Sequence, residues 1–343
     1  MKSMTEPGDA HTTETGTYTA EMQVEVERLG RLITKTVDLT RPPDAASRKL
    51  DTDNCNTVWN IDLPEVASVR RLTISADDSI DAVACDAVVY EPIQGGGEGL
   101  IFYVHGGGWA YMDLKTHERL MRVLCNEARM TLIGVHYRLA PENPFPAGLK
   151  DVVSAFRKVL SSRAELGLPE GPVIIAGDSA GGNLAMATML HEIDAGRALP
   201  AGALLFYGVY GADFETPSYK AYADGHGLTG PIMRQLWDWY VPEAARRNPL
   251  AAPILASDAQ LRALPPLFLV VAEIDPLASD TFNLKKRLDA LGRTDTLWVE
   301  RGVIHSFILM TAVLSAARRA TTEAAKAAIQ FIAAARKSDA ASL

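Results

Sequence analysis

The sequence has few cysteines, and they form no recognisable binding pattern. Cys55, Cys85 and Cys125 are the only three in 343 residues, and they are widely spaced without a C-x-x-C pair. This spacing argues against a disulfide framework and a zinc site, and it favours a reducing compartment. The seven histidines show no ligand spacing such as H-x-x-x-H beside a third donor. We therefore expect no metal and no other cofactor.

Long apolar runs and an excess of basic charge are also missing. No uninterrupted apolar stretch reaches the length of about eighteen residues that a membrane span needs. The first sixteen residues lack the apolar core of a signal peptide. With 34 basic and 42 acidic residues the net charge is -8, which leaves no basic footprint for nucleic acid or an anionic membrane. These absences favour a cytoplasmic protein that acts on a small molecule.

The chain does have the composition and the alternating pattern of a large α/β domain. Hydrophobic residues make up 48% of it, enough to bury a core. From about residue 69, short β-rich runs alternate with helical stretches, which predicts a mostly parallel sheet with helices on both faces. We expect a disordered tail over 1–16, an N-terminal cap helix region over 17–50, and an α/β catalytic domain over 51–343 with a cap insertion at about 211–252.

The pattern predicts the individual elements as follows. Strands are expected at 69–75, 82–90, 100–104, 131–137, 173–176, 203–207, 267–272 and 296–299. Helices are expected at 22–37, 116–130, 150–160, from 180 onward, and at 279–291. Active sites of such sheets lie at the carboxyl ends of the strands, so the turns that follow the strands hold the candidate functional residues.

One of these turns matches the G-x-S-x-G pattern of a serine nucleophile. Residues 177–181 read G-D-S-A-G between the strand at 173–176 and the helix that begins at 180. A nucleophile on a sharp strand-to-helix turn needs small neighbours on both sides, so that its hydroxyl stands clear of the sheet. The start of the helix also supplies free backbone N–H groups. This context predicts Ser179 as the nucleophile rather than part of a plain glycine turn.

A second turn has three consecutive glycines. Residues 105–109 read H-G-G-G-W and directly follow the strand at 100–104. Glycines allow the backbone to point its N–H groups at one spot, which is what a developing oxyanion requires. The run at 95–97 is also glycine-rich, but we interpret it as a flexible loop because it does not close a buried strand. The loop at 105–109 is therefore the candidate oxyanion hole.

A serine nucleophile needs a base, and the base needs a carboxylate that orients it. His305 follows the strand at 296–299 and is the one histidine placed as a base. Asp275 follows the strand at 267–272, although a plain helix-capping role would also explain an aspartate before Pro276. The chain order Ser179, Asp275, His305 is the order expected of α/β-hydrolases. Weaker rivals for the carboxylate are Asp280, Asp258 and Glu273.

With these residues in place, the sequence resembles the hormone-sensitive-lipase-like family of carboxylesterases, in its GDSAG branch. The resemblance rests on H-G-G-G-W at 105–109, G-D-S-A-G-G-N-L-A at 177–185, D-P-L at 275–277 and H-S-F at 305–307, and it covers roughly 100–307. It implies the α/β-hydrolase fold, a catalytic triad of Ser179, Asp275 and His305, and a cap made from the N-terminal helix and the insertion. It also implies an oxyanion hole from the amides of Gly107, Gly108 and Ala180.

The segment Y-R-L-A-P-E at 137–142 is similar to the same family. We interpret it as structural, with an Arg138–Glu142 pair that fixes the loop beneath the site. The resemblance also implies a small-molecule ester with a short acyl chain as the substrate. Aromatic side chains are the candidates for the wall that limits acyl length, and we name Trp109, Phe214 and Trp237 as substrate-binding residues, although packing in the cap core explains each of them about as well.

Three other functions fit parts of the pattern. An amidase or aryl formamidase could use the same triad, because only the leaving group differs. A non-catalytic ligand-binding member of the fold is disfavoured by the presence of His305. A lipase acting at an oil–water surface is disfavoured by the missing secretion signal, and fold alone does not fix the substrate. The sequence allows a homodimer but does not predict one.

Overall fold

The computed structural model describes residues 16–33, 38, 40–95 and 98–341. The expected tail at 1–16, apart from Gly16, and part of the glycine run at 95–97 therefore lie outside the described residues. Within the described ranges the strands are β1 (Ser68–Ile74), β2 (Cys85–Glu91), β3 (Leu100–Val104), β4 (Thr131–Val135), β5 (Val173–Asp178), β6 (Gly202–Phe206), β7 (Leu267–Ile274) and β8 (Thr296–Ile304).

The helices surround these strands. They are α1 (Ala20–Leu32), α2 (Ala45–Trp59), α3 (Glu118–Ala128), α4 (Ala147–Ser161), α5 (Arg163–Leu166), α6 (Ala180–Asp194), α7 (Pro217–Ala221), α8 (Gly230–Tyr240), α9 (Asp258–Ala263), α10 (Ala278–Ala290) and α11 (Ser315–Ala341). Short 3₁₀ helices occupy Asp78–Ile80, Glu243–Ala245, Pro253–Leu255 and Phe307–Met310.

The strands form one sheet in the order β1-β2-β4-β3-β5-β6-β7-β8. β1 pairs antiparallel with β2, and β2 pairs antiparallel with β4. The pairs from β4 through β8 are parallel. Because parallel strands bring their carboxyl ends to one edge, the turns after β3, β5, β7 and β8 meet there.

The sheet separates two hydrophobic cores. In β3, Leu100, Phe102 and Val104 face one core, while Ile101 and Tyr103 face the other. The first core is covered by α4, α6, α8, α9 and α10, and the second by α1, α2, α3 and α11. A strand that is buried on both faces must be apolar throughout, which explains the continuous L-I-F-Y-V sequence of β3.

The N-terminal region contains two helices where the periodicity predicted one. α1 ends at Leu32, Thr19 caps its first turn, and residues 34–37 of the predicted helix lie outside the described residues. α2 was not predicted, because its apolar residues are few; it begins at a capping box formed by Asp44 and Ser47. The boundary expected after residue 50 falls in the middle of α2.

The remaining differences concern element ends and helices without a strong pattern. β4 ends at Val135, so His136 lies just beyond the strand in which it was expected. β8 continues to Ile304 after a register shift in its pairing with β7, which brings the strand up to His305. The segment at 211–252 contains α7 and α8, and the long C-terminal α11 packs on α3, β5 and β6. None of the helices in the described part of the chain has the length and hydropathy of a membrane span.

Candidate active site

Ser179 lies on a tight turn between β5 and α6. Its backbone has φ 53° and ψ −120°, a strained conformation for a residue with a side chain. A β-carbon on Gly181 would overlap the carbonyl oxygen of Val104, and one on Gly177 would lie 2.5 Å from the carbonyl oxygen of Gly181. Both flanking glycines are therefore required by close backbone approach, as expected for a nucleophile turn.

A continuous chain of hydrogen bonds joins the serine to a histidine and a carboxylate. His305 Nε2 lies 2.9 Å from Ser179 Oγ, and His305 Nδ1 lies 2.7 Å from Asp275 Oδ2. Asp275 is fully buried, whereas Ser179 and His305 each retain 7% exposure. The three side chains therefore have the geometry in which a carboxylate fixes the histidine and the histidine receives the serine proton.

The carboxylate and the histidine are each held from a second side. The other oxygen of Asp275 accepts a hydrogen bond from the amide of Leu277 at 2.9 Å. The ring of His305 packs against Tyr207, with 4.7 Å between ring centroids. The hydrogen bond from Leu277 restricts the orientation of the Asp275 carboxyl group. The contact with the Tyr207 ring restricts the orientation of the His305 imidazole.

Asp280, the weaker rival for the carboxylate, has a different set of partners. Its Oδ2 accepts hydrogen bonds from the amides of Tyr210 and Gly211, both at 2.8 Å. Burial raises the pKa of Asp280 to about 7, and the nearby charge of Asp275 adds to the shift. Its hydrogen bonds thus go to the backbone at the start of the cap insertion, while those of Asp275 reach His305.

The glycine loop leaves free amides beside the serine. The amide of Gly106 is already bonded to Asp178 Oδ1 at 3.0 Å. Within the described part of the chain, the amides of Gly107, Gly108 and Ala180 have no hydrogen-bond acceptor. Gly107 and Gly108 have φ values of 110° and 59°, which only glycine adopts without strain. The three amides are thus available to a negatively charged oxygen at Ser179.

The aromatic residues expected at the substrate lie in different surroundings. Trp109 and Trp237 are 1% and 0% exposed, and Trp109 stacks on Tyr240 at 4.2 Å between centroids. These two tryptophans pack in the core between α8 and the glycine loop and present no open surface. Phe214 is half-buried beneath Arg234 and lines a cavity of about 890 Å³, whose lining does not include Ser179.

Leu236, on α8, is a neighbour of the site that sequence reasoning missed. A β-carbon added to Gly108 would lie 2.5 Å from Leu236 Cδ1, so this side chain rests directly on the glycine loop. Nothing in the sequence distinguishes it from the other apolar residues of α8, and the neighbouring aromatic residues are the more obvious candidates for a pocket wall. Only its position on the inner face of α8, beside Met233, could have identified it.

The Y-R-L-A-P-E segment is stabilised by pairs other than the expected one. Arg138 does not pair with Glu142; it forms an ion pair with the buried Asp151 at 2.8 Å. Glu142 pairs instead with Arg48 of α2 at 2.6 Å. Arg48 also donates to the carbonyl oxygen of Ala110 at 2.9 Å, which links α2 to the end of the glycine loop. The sequence could not predict this contact, because 62 residues separate its partners.

Comparisons with known proteins identify the fold family and the related enzymes. A family model described as the alpha/beta hydrolase fold matches residues 101–309. The chain belongs to the α/β-hydrolase fold family. Carboxylesterase NlhH of Mycobacterium tuberculosis is 33% identical over 261 residues, which cover 76% of this chain and 81% of that protein. The expected resemblance to hormone-sensitive-lipase-like carboxylesterases is thereby confirmed.

Solved structures of esterases in this fold family superimpose closely. A thermostable esterase from Pseudomonas putida ECU1011 gives a TM-score of 0.84 at 29% identity, covering 93% of this chain and 98% of that one. A hyperthermophilic esterase from the archaeon Pyrobaculum calidifontis gives a TM-score of 0.81 at 27% identity, covering 92% and 99%. The expected α/β-hydrolase fold is therefore confirmed over nearly the whole chain.

Proposed function

We propose that this protein is a serine carboxylesterase that hydrolyses short-acyl esters through an acyl-enzyme at Ser179. The hydrogen-bonded chain from Ser179 through His305 to Asp275, at 2.9 and 2.7 Å, carries the proposal. The relationship to carboxylesterases supports the reaction class. No observation on this chain favours an amide over an ester.

The proposed reaction has two halves. His305 Nε2 takes the proton of Ser179 as the serine oxygen attacks the ester carbonyl, and Asp275 stabilises the imidazolium that forms. The free amides of Gly107, Gly108 and Ala180 would stabilise the oxyanion of the tetrahedral intermediate. His305 then returns the proton to the departing alcohol. In the second half a water molecule repeats these steps on the acyl-enzyme and releases the acid.

A substrate panel with a labelling control tests this function. We expect p-nitrophenyl esters of roughly two to six acyl carbons to be hydrolysed faster than those of twelve or more. Burial of each additional methylene would favour binding, so a preference for short chains requires a wall of side chains that limits the length of the acyl pocket. A fluorophosphonate should label the wild type at Ser179, and Ser179→Ala should lower kcat by about 10⁴-fold or more. If aryl amides or formamides were hydrolysed faster than esters, the proposed function would be an amidase and not an esterase.

A further inference from the structure

Behind the glycine loop lies a second pair of a histidine and an aspartate, which the triad does not use. His117 precedes α3 and is fully buried, and its Nε2 lies 3.2 Å from Asp178 Oδ1. Asp178 is the residue before Ser179 at the end of β5. The nucleophile therefore has one histidine–carboxylate pair in direct contact with it and another attached to its turn.

The Asp178 carboxylate connects the nucleophile turn to the glycine loop. Its Oδ1 accepts hydrogen bonds from the Tyr103 hydroxyl at 2.7 Å and from the Gly106 amide at 3.0 Å. The contact is close, since a β-carbon on Gly106 would lie 2.5 Å from Asp178 Oδ2. Because Gly106 precedes Gly107 and Gly108, the position of this carboxylate sets where their free amides point relative to Ser179.

The surroundings of His117 indicate a proton on both ring nitrogens. Nδ1 lies 3.2 Å from the carbonyl oxygen of Asp113 and 2.8 Å from the Thr116 hydroxyl, which itself donates to that carbonyl. Nδ1 must therefore be a donor. Nε2 lies 3.2 Å from Asp178 Oδ1 and 3.3 Å from Asp178 Oδ2, and the Gly106 amide also lies 3.3 Å from it. The Gly106 amide has its nearer acceptor in Asp178 Oδ1 at 3.0 Å, whereas a carboxylate can only accept from Nε2, so we assign Nε2 as a donor as well. A ring with two donors is an imidazolium.

The electrostatic balance agrees with this geometry. Burial by itself lowers the pKa of His117, but the charge and hydrogen bonds of Asp178 outweigh it and raise the pKa overall. Burial likewise raises the pKa of Asp178, and the charge and hydrogen bond of His117 reverse that shift. For His105, burial and the two histidines beside it keep the pKa well below its usual range, so it stays neutral.

We propose that His117, as an imidazolium paired with Asp178, is a positioning residue that fixes the glycine loop against the nucleophile turn. This inference rests on the proposed esterase function. Loss of the His117 proton would leave the Asp178 carboxylate buried without a counter-charge, which is costly. The Gly106 contact would then loosen, and the oxyanion amides would lose their alignment. His117 acts through the loop and does not touch the substrate.

The other ionisable groups that face His117 do not obscure this effect. They are Asp113 from the preceding loop, Asp51 from α2, Tyr103 from β3, and His105 from the glycine loop just after β3. Burial raises the pKa of Asp51 to about 6, so it titrates in the acid range. Burial holds the pKa of Tyr103 far above its usual range. The alkaline side of the activity profile is therefore the range in which deprotonation of His117 should appear.

The first test compares His117→Gln with His191→Gln. His191 also contacts a carboxylate, Glu192 at 2.9 Å, but on α6 away from the glycine loop. We expect His117→Gln to lower kcat by about 10²-fold with KM nearly unchanged, because a misplaced oxyanion hole affects the transition state more than substrate binding. The affinity for a trifluoromethyl ketone inhibitor, which forms an oxyanion at the serine, should fall in parallel. His191→Gln should leave both unchanged.

The second test is the pH profile. In the wild type, kcat/KM should fall on the alkaline side as His117 loses its proton, because Asp178 raises the pKa of this histidine above its usual value. His117→Gln should abolish the alkaline decline. The double variant His117→Gln/Asp178→Asn should be no slower than His117→Gln alone, because it removes the unpaired buried charge. A His117→Gln enzyme with normal kcat, or one that retains the alkaline decline, would overturn the proposal.

A measurement on the unmodified protein covers the case in which the variant does not fold. In a ¹⁵N-histidine NMR spectrum, one imidazolium should persist at a pH where ordinary histidines are already neutral. A spectrum with all seven histidines neutral at that pH would refute the proposal. Retained activity in Ser179→Ala would instead refute the esterase mechanism itself, so the two failures are distinguishable.

Discussion

At the scale of single residues, the chemistry depends on which of two buried carboxyl groups reaches the histidine. Asp275 and Asp280 are five positions apart; Asp275 lies just before α10, and Asp280 lies in its first turn. Asp275 bonds His305, whereas Asp280 bonds the amides of Tyr210 and Gly211. In the proposed reaction the first carboxylate orients the base, and the second holds the backbone of Tyr210 and Gly211.

This difference predicts opposite outcomes for the same substitution. Asp275→Asn should lower kcat by about 10⁴-fold, because an amide donates to the imidazole and enforces the wrong tautomer. Asp280→Asn should stay within about tenfold of the wild type, since an amide oxygen still accepts two backbone hydrogen bonds. Rates on one short-chain ester at the pH optimum would check both. A severe loss in Asp280→Asn with normal activity in Asp275→Asn would reverse the assignment.

Asp280 should also make stability depend on pH. Its pKa is raised from 3.8 to about 7 by burial, so the folded protein binds a proton that the unfolded chain has lost. Its contribution is therefore complete at acid pH and is lost as the pH rises toward 7, at up to about 1.4 kcal/mol per pH unit. Urea denaturation of the wild type and Asp280→Asn should give curves that converge in acid, with the variant the more stable above neutrality. A constant difference across this range would contradict the assignment.

At the scale of secondary structure elements, α8 limits the space above the glycine loop. Its aromatic residues Trp237 and Tyr240 pack around Trp109, while Leu236 contacts Gly108. The tryptophans thus secure the helix, and the smaller leucine lies against the glycine loop, which in the proposed reaction borders the acyl group. Acyl length should accordingly depend on Leu236 more than on the aromatic side chains named from the sequence.

Leu236→Ala should shift the preferred acyl chain to greater length. Each methylene that enters the vacated space contributes about 0.8 kcal/mol, or up to about fourfold in kcat/KM. Met233→Ala, one turn earlier on α8 and also buried, is the matched control. Both variants should lose roughly 2–4 kcal/mol of stability, but only the first should change the chain-length profile. An unchanged profile in Leu236→Ala would show that the wall lies elsewhere.

At the scale of the whole molecule, the N-terminal segment is tied to the catalytic body at several points. The amide of Thr19 donates to the carbonyl oxygen of Gly302, and the Gly16 amide donates to the Tyr222 hydroxyl in the insertion. Arg48 of α2 reaches the carbonyl oxygens of Ala110 and Ala140. The Gly16–Tyr222 contact joins the N-terminal segment to the insertion, and the other contacts tie it to the sheet edge and the glycine loop. A cap made from the N-terminal helix and the insertion stays a prediction.

Removing the Arg48 contact should affect stability and activity together. Arg48→Ala leaves two buried carbonyl groups without their donor, at a cost of about 1–3 kcal/mol. Because Ala110 ends the turn that follows Gly107, we expect kcat to fall as well. Arg48→Lys should recover only part of both losses, since an ammonium group lacks the planar fork of donors. Denaturation and kcat measured side by side would check this, and an Arg48→Ala protein as stable as the wild type would contradict it.

The sequence by itself determined the fold class, and it placed Ser179, His305 and a short set of carboxylates with Asp275 first as candidates for the triad. Parallel strands buried on both faces must be apolar, and the turns after them must meet at one edge of the sheet. Ser179, Asp275 and His305 each follow such a strand, so their proximity could be predicted from local patterns. The glycines at 106–108 could be recognised because they also follow such a strand; in the structure Gly107 and Gly108 have positive φ values and Gly106 lies against Asp178.

Only the tertiary structure decided how the surroundings of the site are assembled. The choice between Asp275 and Asp280 depends on the direction of each side chain, which a five-residue spacing does not encode. The contacts of Leu236 with Gly108, Arg48 with Ala110 and His117 with Asp178 join segments far apart in sequence. Such contacts leave no periodic signal, because they depend on how separate elements pack and not on the local preferences of the chain.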